Sequence, residues 1–300
     1  MTQKLFTLKD LLPVAQKNHF AIGAFSARFT GMIEPIIRAA LELQSPVIVQ
    51  ISKVEFSWYQ ISLPYYVRKF HEIYSKVSPN VPVCLHLDHT NTLEFVQEAV
   101  SGGFSSVMID ASSRPLEENI AYTRQVVELA RKRGVSVEAE LGRILSSDKF
   151  ETTSEEEIFT DPLEAERFAR ETGVDALAIS IGTVHGVYFT KQPKIDFDRL
   201  EAIRKHVQIP LVLHGGSGIP VEQIRRAIQM DSGGVSKINI ATELEMTLYE
   251  SLGILERLPD VEFWKLPSQQ IARAQDAVRE LTKKKIKDYL LSDQKAYLYD

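Results

Sequence analysis

Three histidines in this chain stand where buried, apolar segments end. Val81 to Thr90 reads VPVCLHLDHT, a strand-forming run that finishes in His86, Asp88 and His89. His185 follows the run ALAISI and His214 closes PLVLH, although the chain has only seven histidines in all. Carboxylates and an amide fall at matching places: Asp110 with Ser112 after FSSVMI, Glu140 at the end of VSVEAE, and Asn239 in VSKINI. Three imidazoles and several carboxylates around an open position form the ligand set of a catalytic zinc or a similar divalent ion. Each residue also has a plainer role open to it. His86 shares a strand face with Asp88 and fits a hydrogen-bonded structural group. Glu140 can serve as a rim ion pair, and Asp110 as the cap of a helix beginning near Leu116.

These residues must be positioned by eight short β-branched runs, beginning at Phe20, Pro46, Pro82, Phe104, Val135, Ala176, Pro210 and Val235. Between them lie segments such as GMIEPIIRAALELQ, TLEFVQEAVSGG and NIAYTRQVVELARKRG, with apolar residues recurring at three and four and glycine at several ends. Eight strand–helix units in under about 250 residues predict a closed (β/α)₈ TIM barrel. No GxGxxG follows the first strand, so an open dinucleotide-binding sheet fits less well. One domain is expected, with the barrel over about residues 1–243 and a helical tail over 244–300 that packs on the barrel or on a neighbouring subunit. In such a barrel the strand C-termini share one mouth, and the eight run ends therefore converge there.

Composition narrows the partners. The chain of 300 residues is 44% hydrophobic and 25% charged with a formal net charge of -5, which speaks against nucleic acid as a partner. No apolar stretch is long enough to span a membrane. The single Cys84 cannot form an internal disulfide, and the first residues lack the apolar core of a signal peptide, so a cytoplasmic protein is expected.

The segments HLDH, GFSSVMIDAS with PLEENI, GVSVEAELGRI, IGTVHGVY, LVLHGGSGIP and SKINIATELE, in that order, resemble the class II, metal-dependent ketose-bisphosphate aldolases, which include fructose- and tagatose-bisphosphate aldolases. The resemblance runs from about Leu5 to Glu243. It implies that His89, His185 and His214 bind one catalytic Zn²⁺, that Glu140 and Asp110 provide an alternative metal seat or support the ligands, and that Asp88 carries a proton at the aldehyde oxygen. It also implies a sugar-phosphate site at Gly186, Gly215, Gly216, Ser217, Asn239, Ile240, Ala241 and Thr242, with Ser52 beside it and a monovalent cation (Na⁺ or K⁺) in these loops. A homodimer or homotetramer acting on a small sugar is expected. The chemistry calls for such residues: breaking a carbon–carbon bond beside a ketone leaves an enediolate, whose charge a Lewis acid must hold where no Schiff-base lysine does.

The chain also departs from the family. After the fifth strand it reads GRILSSDKFETTSEEE, so Leu145 and Ser146 replace the usual glycine pair and Asp148 stands where a deprotonating glutamate is expected, with Glu151, or no base in this segment, as the alternatives. The family's C-terminal DPR segment is replaced by KLPSQQ. Arg28, Lys53 and Arg114 each follow a strand run and are candidates to hold an anion at the far end of the sugar, a phosphate, carboxylate or sulfonate. Two other classes compete. A non-catalytic barrel subunit that stabilises an aldolase partner would lack the full metal set, and a metal-dependent barrel hydrolase would carry HxH on the first strand, which FAIGAF does not.

Overall fold

The computed structural model describes residues 4–143, 158–183 and 194–299. Its eight strands are β1 (Ile22–Ser26), β2 (Val47–Ser52), β3 (Val83–Thr90), β4 (Ser106–Ile109), β5 (Ser136–Leu141), β6 (Ala176–Ile179), β7 (Leu211–Leu213) and β8 (Val235–Ile240). Each pairs in parallel with the next, and β8 pairs with β1, with Ala24 opposite Asn239, to close the barrel. The expected (β/α)₈ architecture is therefore present.

The helices in chain order are α1 (Leu8–Lys17), α2 (Ile33–Glu42), α3 (Lys53–Trp58), α4 (Leu63–Val77), α5 (Leu93–Gly102) and α6 (Leu116–Arg131). They continue with α7 (Pro162–Thr172), α8 (Phe197–His206), α9 (Val221–Ile228), α10 (Thr242–Leu252), α11 (Asp260–Phe263) and α12 (Ser268–Lys284), which runs into a π-helical turn, Lys285–Leu290. The tail is part of the wall rather than an appendage. Helix α12 packs against α2 and α10, and the Ala21 N–H ahead of β1 donates to the Leu290 carbonyl over 3.0 Å.

Alternation along the strands divides the residues between two environments. Outward residues such as Val47, Val49, Leu85 and Leu87 join the helices in the main core. Inward residues Ile22, Ala24, Ile48, Cys84, Met108, Ala176, Ala178 and Val212 form a second, dry core that Leu8, Leu11, Leu12 and Ala15 of α1 close from below. These four recur at helical spacing, and a reciprocal cap starts the helix: Thr7 N–H donates to Asp10 Oδ2 (2.9 Å) and Asp10 N–H to Thr7 Oγ1 (3.2 Å). Two residues further along the strands the lining turns polar, with Gln50 after Ile48 and His86 after Cys84, both fully buried. The apolar floor thus ends where the chemistry begins.

Candidate active site

Strand β3 supplies consecutive residues to the mouth, which regular alternation forbids. Its register against β4 shifts between Leu87 and Thr90, and His89 has a φ of 27°. This bulge turns His89 out of the alternating pattern while Asp88 keeps the inward face that His86 shares. His86 takes the structural role: its Nδ1 lies 2.8 Å from Ser106 Oγ, and burial together with the nearby Lys237 charge keeps its pKa well below the ordinary value, hence neutral.

His89 and His214 meet at the centre. His89 Nδ1 lies 3.1 Å from Asp110 Oδ2, and His214 Nε2 lies 2.9 Å from Glu138 Oε1. A carboxylate accepts the proton of each of these nitrogens, and the remaining nitrogens, His89 Nε2 and His214 Nδ1, face each other at 2.8 Å. At this distance one proton bridges the two nitrogens, and a metal ion would bind there only in exchange for that proton, with the rings drawn slightly apart. Burial opposes charge on His89, but Asp88, Asp110 and Glu140 outweigh it and push its pKa up to about 10. Burial likewise works against ionised Asp110, yet the His89 and Ser112 hydrogen bonds hold it below the usual carboxylate range. Asp110 Oδ1 accepts from Ser112 N–H (3.1 Å) and Oγ–H (2.7 Å), while α6 begins after Pro115 with no side-chain cap, so Asp110 is not a helix cap.

Ligand atoms of Asp88, His89 and His214 all lie within 4.8 Å of one another, as do those of His89, Asp110 and Glu140, and a third such group joins His86, Asp88 and Glu138. Asp88, Asp110, Glu138 and Glu140 bring four carboxylates to this space, against which stand the Lys237 ammonium, 2.8 Å from Glu138 Oε2, and the protonated His89 ring. A divalent cation would redress that imbalance, and the donor set of imidazoles and carboxylates suits zinc. His185 and Gly186, and Asp148 with Leu145, Ser146 and Glu151 in the segment after Arg143, lie outside the described residues.

Occupation of this space should be coupled to protons. Zinc titrated into the metal-free protein between pH 6.5 and 8.5 is expected to release at least one proton, with apparent affinity rising about tenfold per pH unit, because His89 is protonated below its pKa of about 10. Calorimetry in buffers of different ionisation enthalpy reads the proton count, and a count of zero would refute the assignment of His89 as the site of exchange.

Asp88 is held ready beside this centre. Gln50 Nε2 donates to its Oδ2 over 3.1 Å, and Asn239 Nδ2 donates to Oδ1 and Oδ2 over 3.1 and 3.3 Å. Lys237 has only protons to give, so its 2.8 Å contact to Asn239 Oδ1 fixes which end of that amide faces Asp88. Ser52 pairs with Asp88 across β2 and β3, and its N–H donates to Glu55 Oε2 (2.8 Å).

The loops after β7 and β8 lie against each other. Gly216 N–H donates to the Asn239 carbonyl (3.0 Å), and Glu243 N–H reaches Ser217 Oγ (3.5 Å). Gly215 takes a φ of 67°, and a Cβ on Gly216 would meet Ile238 Cγ2 at 2.5 Å, so both positions require glycine. Gly215, Gly216 and Ser217 are thereby brought beside Asn239, Ile240, Ala241 and Thr242, the last opening α10.

The three rim cations are already engaged. Arg28 is buried, with Nε 2.7 Å from Glu55 Oε1 and Nη1 on Glu245, and Thr242 Oγ1 at 3.5 Å. Lys53 donates to Asn91 Oδ1 (3.2 Å) and Thr92 Oγ1 (3.3 Å), and Arg114 stacks on Tyr122 at 4.2 Å. The structure adds Arg257, which bonds Glu245 Oε1 (2.7 Å) and lies 4.1 Å over the Trp58 ring. Gln50, Glu138 and Lys237 were also missed at the level of sequence. Each sits two residues before a site residue on an inward strand face, the one signal that finds them.

Comparison with known proteins agrees with this geometry. The sequence profile described as fructose-bisphosphate aldolase class-II matches residues 6–294, extending through the helical tail. The chain is 39% identical over 286 residues to the fructose-bisphosphate aldolase of Geobacillus stearothermophilus, covering 95% of this chain and 96% of the relative. It is 36% identical over 291 residues to that of Staphylococcus aureus strain Mu50, covering 97% and 99%. The crystal structure of the YdjI aldolase from Escherichia coli K12 superposes with a TM-score of 0.81 at 32% identity, over 97% of this chain and 99% of that one. Typical of that family is dependence on a metal, for which the candidate clusters above provide seats. The chain belongs to the class II fructose-bisphosphate aldolase family and is a carbon–carbon lyase.

Proposed function

We propose that the enzyme reversibly cleaves a ketose phosphate into dihydroxyacetone phosphate and an aldehyde with zinc as its metal. The observation that carries the metal reading is the facing pair His89 Nε2 and His214 Nδ1, 2.8 Å apart, each ring oriented by a carboxylate. His185 completes the ligand set in this reading, and Glu140 and Asp110 offer a second seat. When bound, zinc supplies the Lewis acid that holds negative charge on the ketone oxygen. The chain's own residues do the rest. Asp88 takes the proton from the carbon-four hydroxyl in cleavage and returns it in condensation, aimed by Gln50 and Asn239. Backbone N–H groups and hydroxyls around Gly215, Gly216, Ser217 and Thr242, with Gly186, surround the donor phosphate, alongside a monovalent cation. Asp148 removes the proton from the donor carbon. Neither the non-catalytic subunit nor the hydrolase is favoured by the relatives, which are named as aldolases over nearly the whole chain.

The far end of the sugar lies, in this reading, against Arg28, Ser52 and Trp58, and carries an anion: a phosphate, as the names of the relatives suggest, or a carboxylate or sulfonate. Arg28 and Arg257 share Glu245, so a terminal anion competes with that carboxylate for the guanidinium groups. A cytoplasmic homodimer or homotetramer is the assembly we propose, supported by the exposed Leu255, Val261 and Trp264 around α11. No described helix is long and apolar enough to cross a membrane. The test is aldehyde release from ketose phosphates that differ only at the far terminus, with chelator and with zinc restored. Cleavage that depends on zinc, prefers anionic termini about tenfold or more, and loses that preference in Arg28→Ala is expected. Equal cleavage of neutral and anionic termini by the unaltered enzyme eliminates the anion, and cleavage indifferent to chelator eliminates the metal.

A further inference from the structure

The π-helical turn Lys285–Leu290 reaches the two phosphate loops from outside the barrel. Tyr289, 2% exposed, donates its hydroxyl proton to the Gly216 carbonyl. The other side of that residue is committed too, since its N–H donates to the Asn239 carbonyl over 3.0 Å. A trans peptide is planar, so its C=O and the following N–H point in opposite directions. With the Gly216 carbonyl drawn toward Tyr289, the N–H of Ser217 is turned away from the tail. A second strut runs beside the first: Lys285 Nζ lies 2.6 Å from Glu243 Oε2, and the Glu243 N–H is the group that meets Ser217 Oγ. Lys285 Nζ also lies 4.1 Å from the Tyr289 ring centroid, which ties the two struts together.

We propose that Tyr289, seconded by Lys285, is a positioning residue for phosphate recognition: it aims the Ser217 N–H at the phosphate of the donor half without touching the reacting atoms. This rests on the reading of these loops as the phosphate site. A tyrosine that merely satisfied a buried carbonyl would affect stability and leave phosphate binding alone.

The experiment uses the full-length, zinc-loaded enzyme and dihydroxyacetone phosphate as probe, with binding followed by calorimetry and zinc content and Tm measured alongside. Tyr289→Phe keeps the ring and its packing. It is expected to weaken binding about five- to tenfold, the effect of one lost hydrogen bond, with zinc unchanged and KM for cleavage raised more than kcat is lowered. Lys285→Met should weaken the same binding about two- to threefold, and Ser217→Ala serves as the control on the loop itself. Wild-type affinity in both Tyr289→Phe and Lys285→Met, with weakened binding in Ser217→Ala, overturns the positioning role alone. Wild-type affinity in all three overturns the phosphate reading, and the positioning role with it.

Discussion

His214→Ala is expected to leave the purified protein without tightly bound divalent metal and with carbon–carbon cleavage reduced by more than about 10³-fold, equivalent to roughly 4 kcal/mol of lost Lewis-acid stabilisation. The imidazole is fully buried, and it supplies one of the two nitrogens that face each other across 2.8 Å. Three-ligand sites depend on each ligand, because the remaining two leave the ion hydrated and exchangeable. The variant should still fold. Glu138, which loses its contact to His214, keeps the Lys237 ammonium at 2.8 Å and so is not left as an unpaired buried charge. Elemental analysis and the cleavage assay are read together with His86→Asn, which alters a neutral, structural imidazole and should retain metal. Full occupancy in His214→Ala would remove that residue from the ligand set, and loss of metal in His86→Asn with retention in His214→Ala would transfer the site to the group of His86, Asp88 and Glu138.

The fold was legible in the sequence because a barrel strand buried on both sides reads as a continuous apolar run. Seven of the eight runs ended within three residues of a mouth residue, and the barrel geometry supplied the convergence. The site was legible only as far as strand ends go. Consecutive Asp88 and His89 cannot share a face of a regular strand, and the bulge that allows it shows only in the φ of 27° and the shifted register with β4. The partners that orient the site residues are of two kinds. Gln50, Glu138 and Lys237 precede Ser52, Glu140 and Asn239 by two and lie on the same strand faces, so alternation carried a signal that the strand-end reading passed over. Tyr289 carried none: the Gly216 carbonyl it holds is 73 residues away, and only the docking of the tail joins them. Helix α1 was missed although its signals, the spacing of Leu8, Leu11, Leu12 and Ala15 and the Thr7–Asp10 cap, are local; only their destination is not. Its apolar stripe faces the inside of the barrel, an environment that does not exist until the sheet closes. Arg28 shows the opposite failure. Its place after β1 was read correctly, yet Glu55 and Glu245, which neutralise it, come from segments far along the chain.

The second large effect is expected at Asp88. Asp88→Asn should keep its metal, since the His89 and His214 rings are untouched, and lose cleavage by about 10²–10⁴-fold, the range for removing a general acid–base group. The local geometry sharpens the expectation. Gln50 Nε2 and Asn239 Nδ2 both donate to Asp88, an arrangement made for a carboxylate with two accepting oxygens. Lys237 prevents Asn239 from turning its oxygen inward, because an ammonium on Asn239 Oδ1 can only donate. An amide at position 88 therefore offers one accepting oxygen where the carboxylate offered two, and it has no proton to exchange with the carbon-four hydroxyl. The two halves of the reaction should separate as a result. Exchange of the donor carbon's hydrogen with deuterated solvent, followed on dihydroxyacetone phosphate alone, does not require the carbon-four proton and should fall far less than cleavage, provided another group such as Asp148 performs it. Cleavage at the wild-type rate in Asp88→Asn would place the proton carrier elsewhere. Equal loss of exchange and cleavage would instead make Asp88 the base for both steps and leave Asp148 without a role.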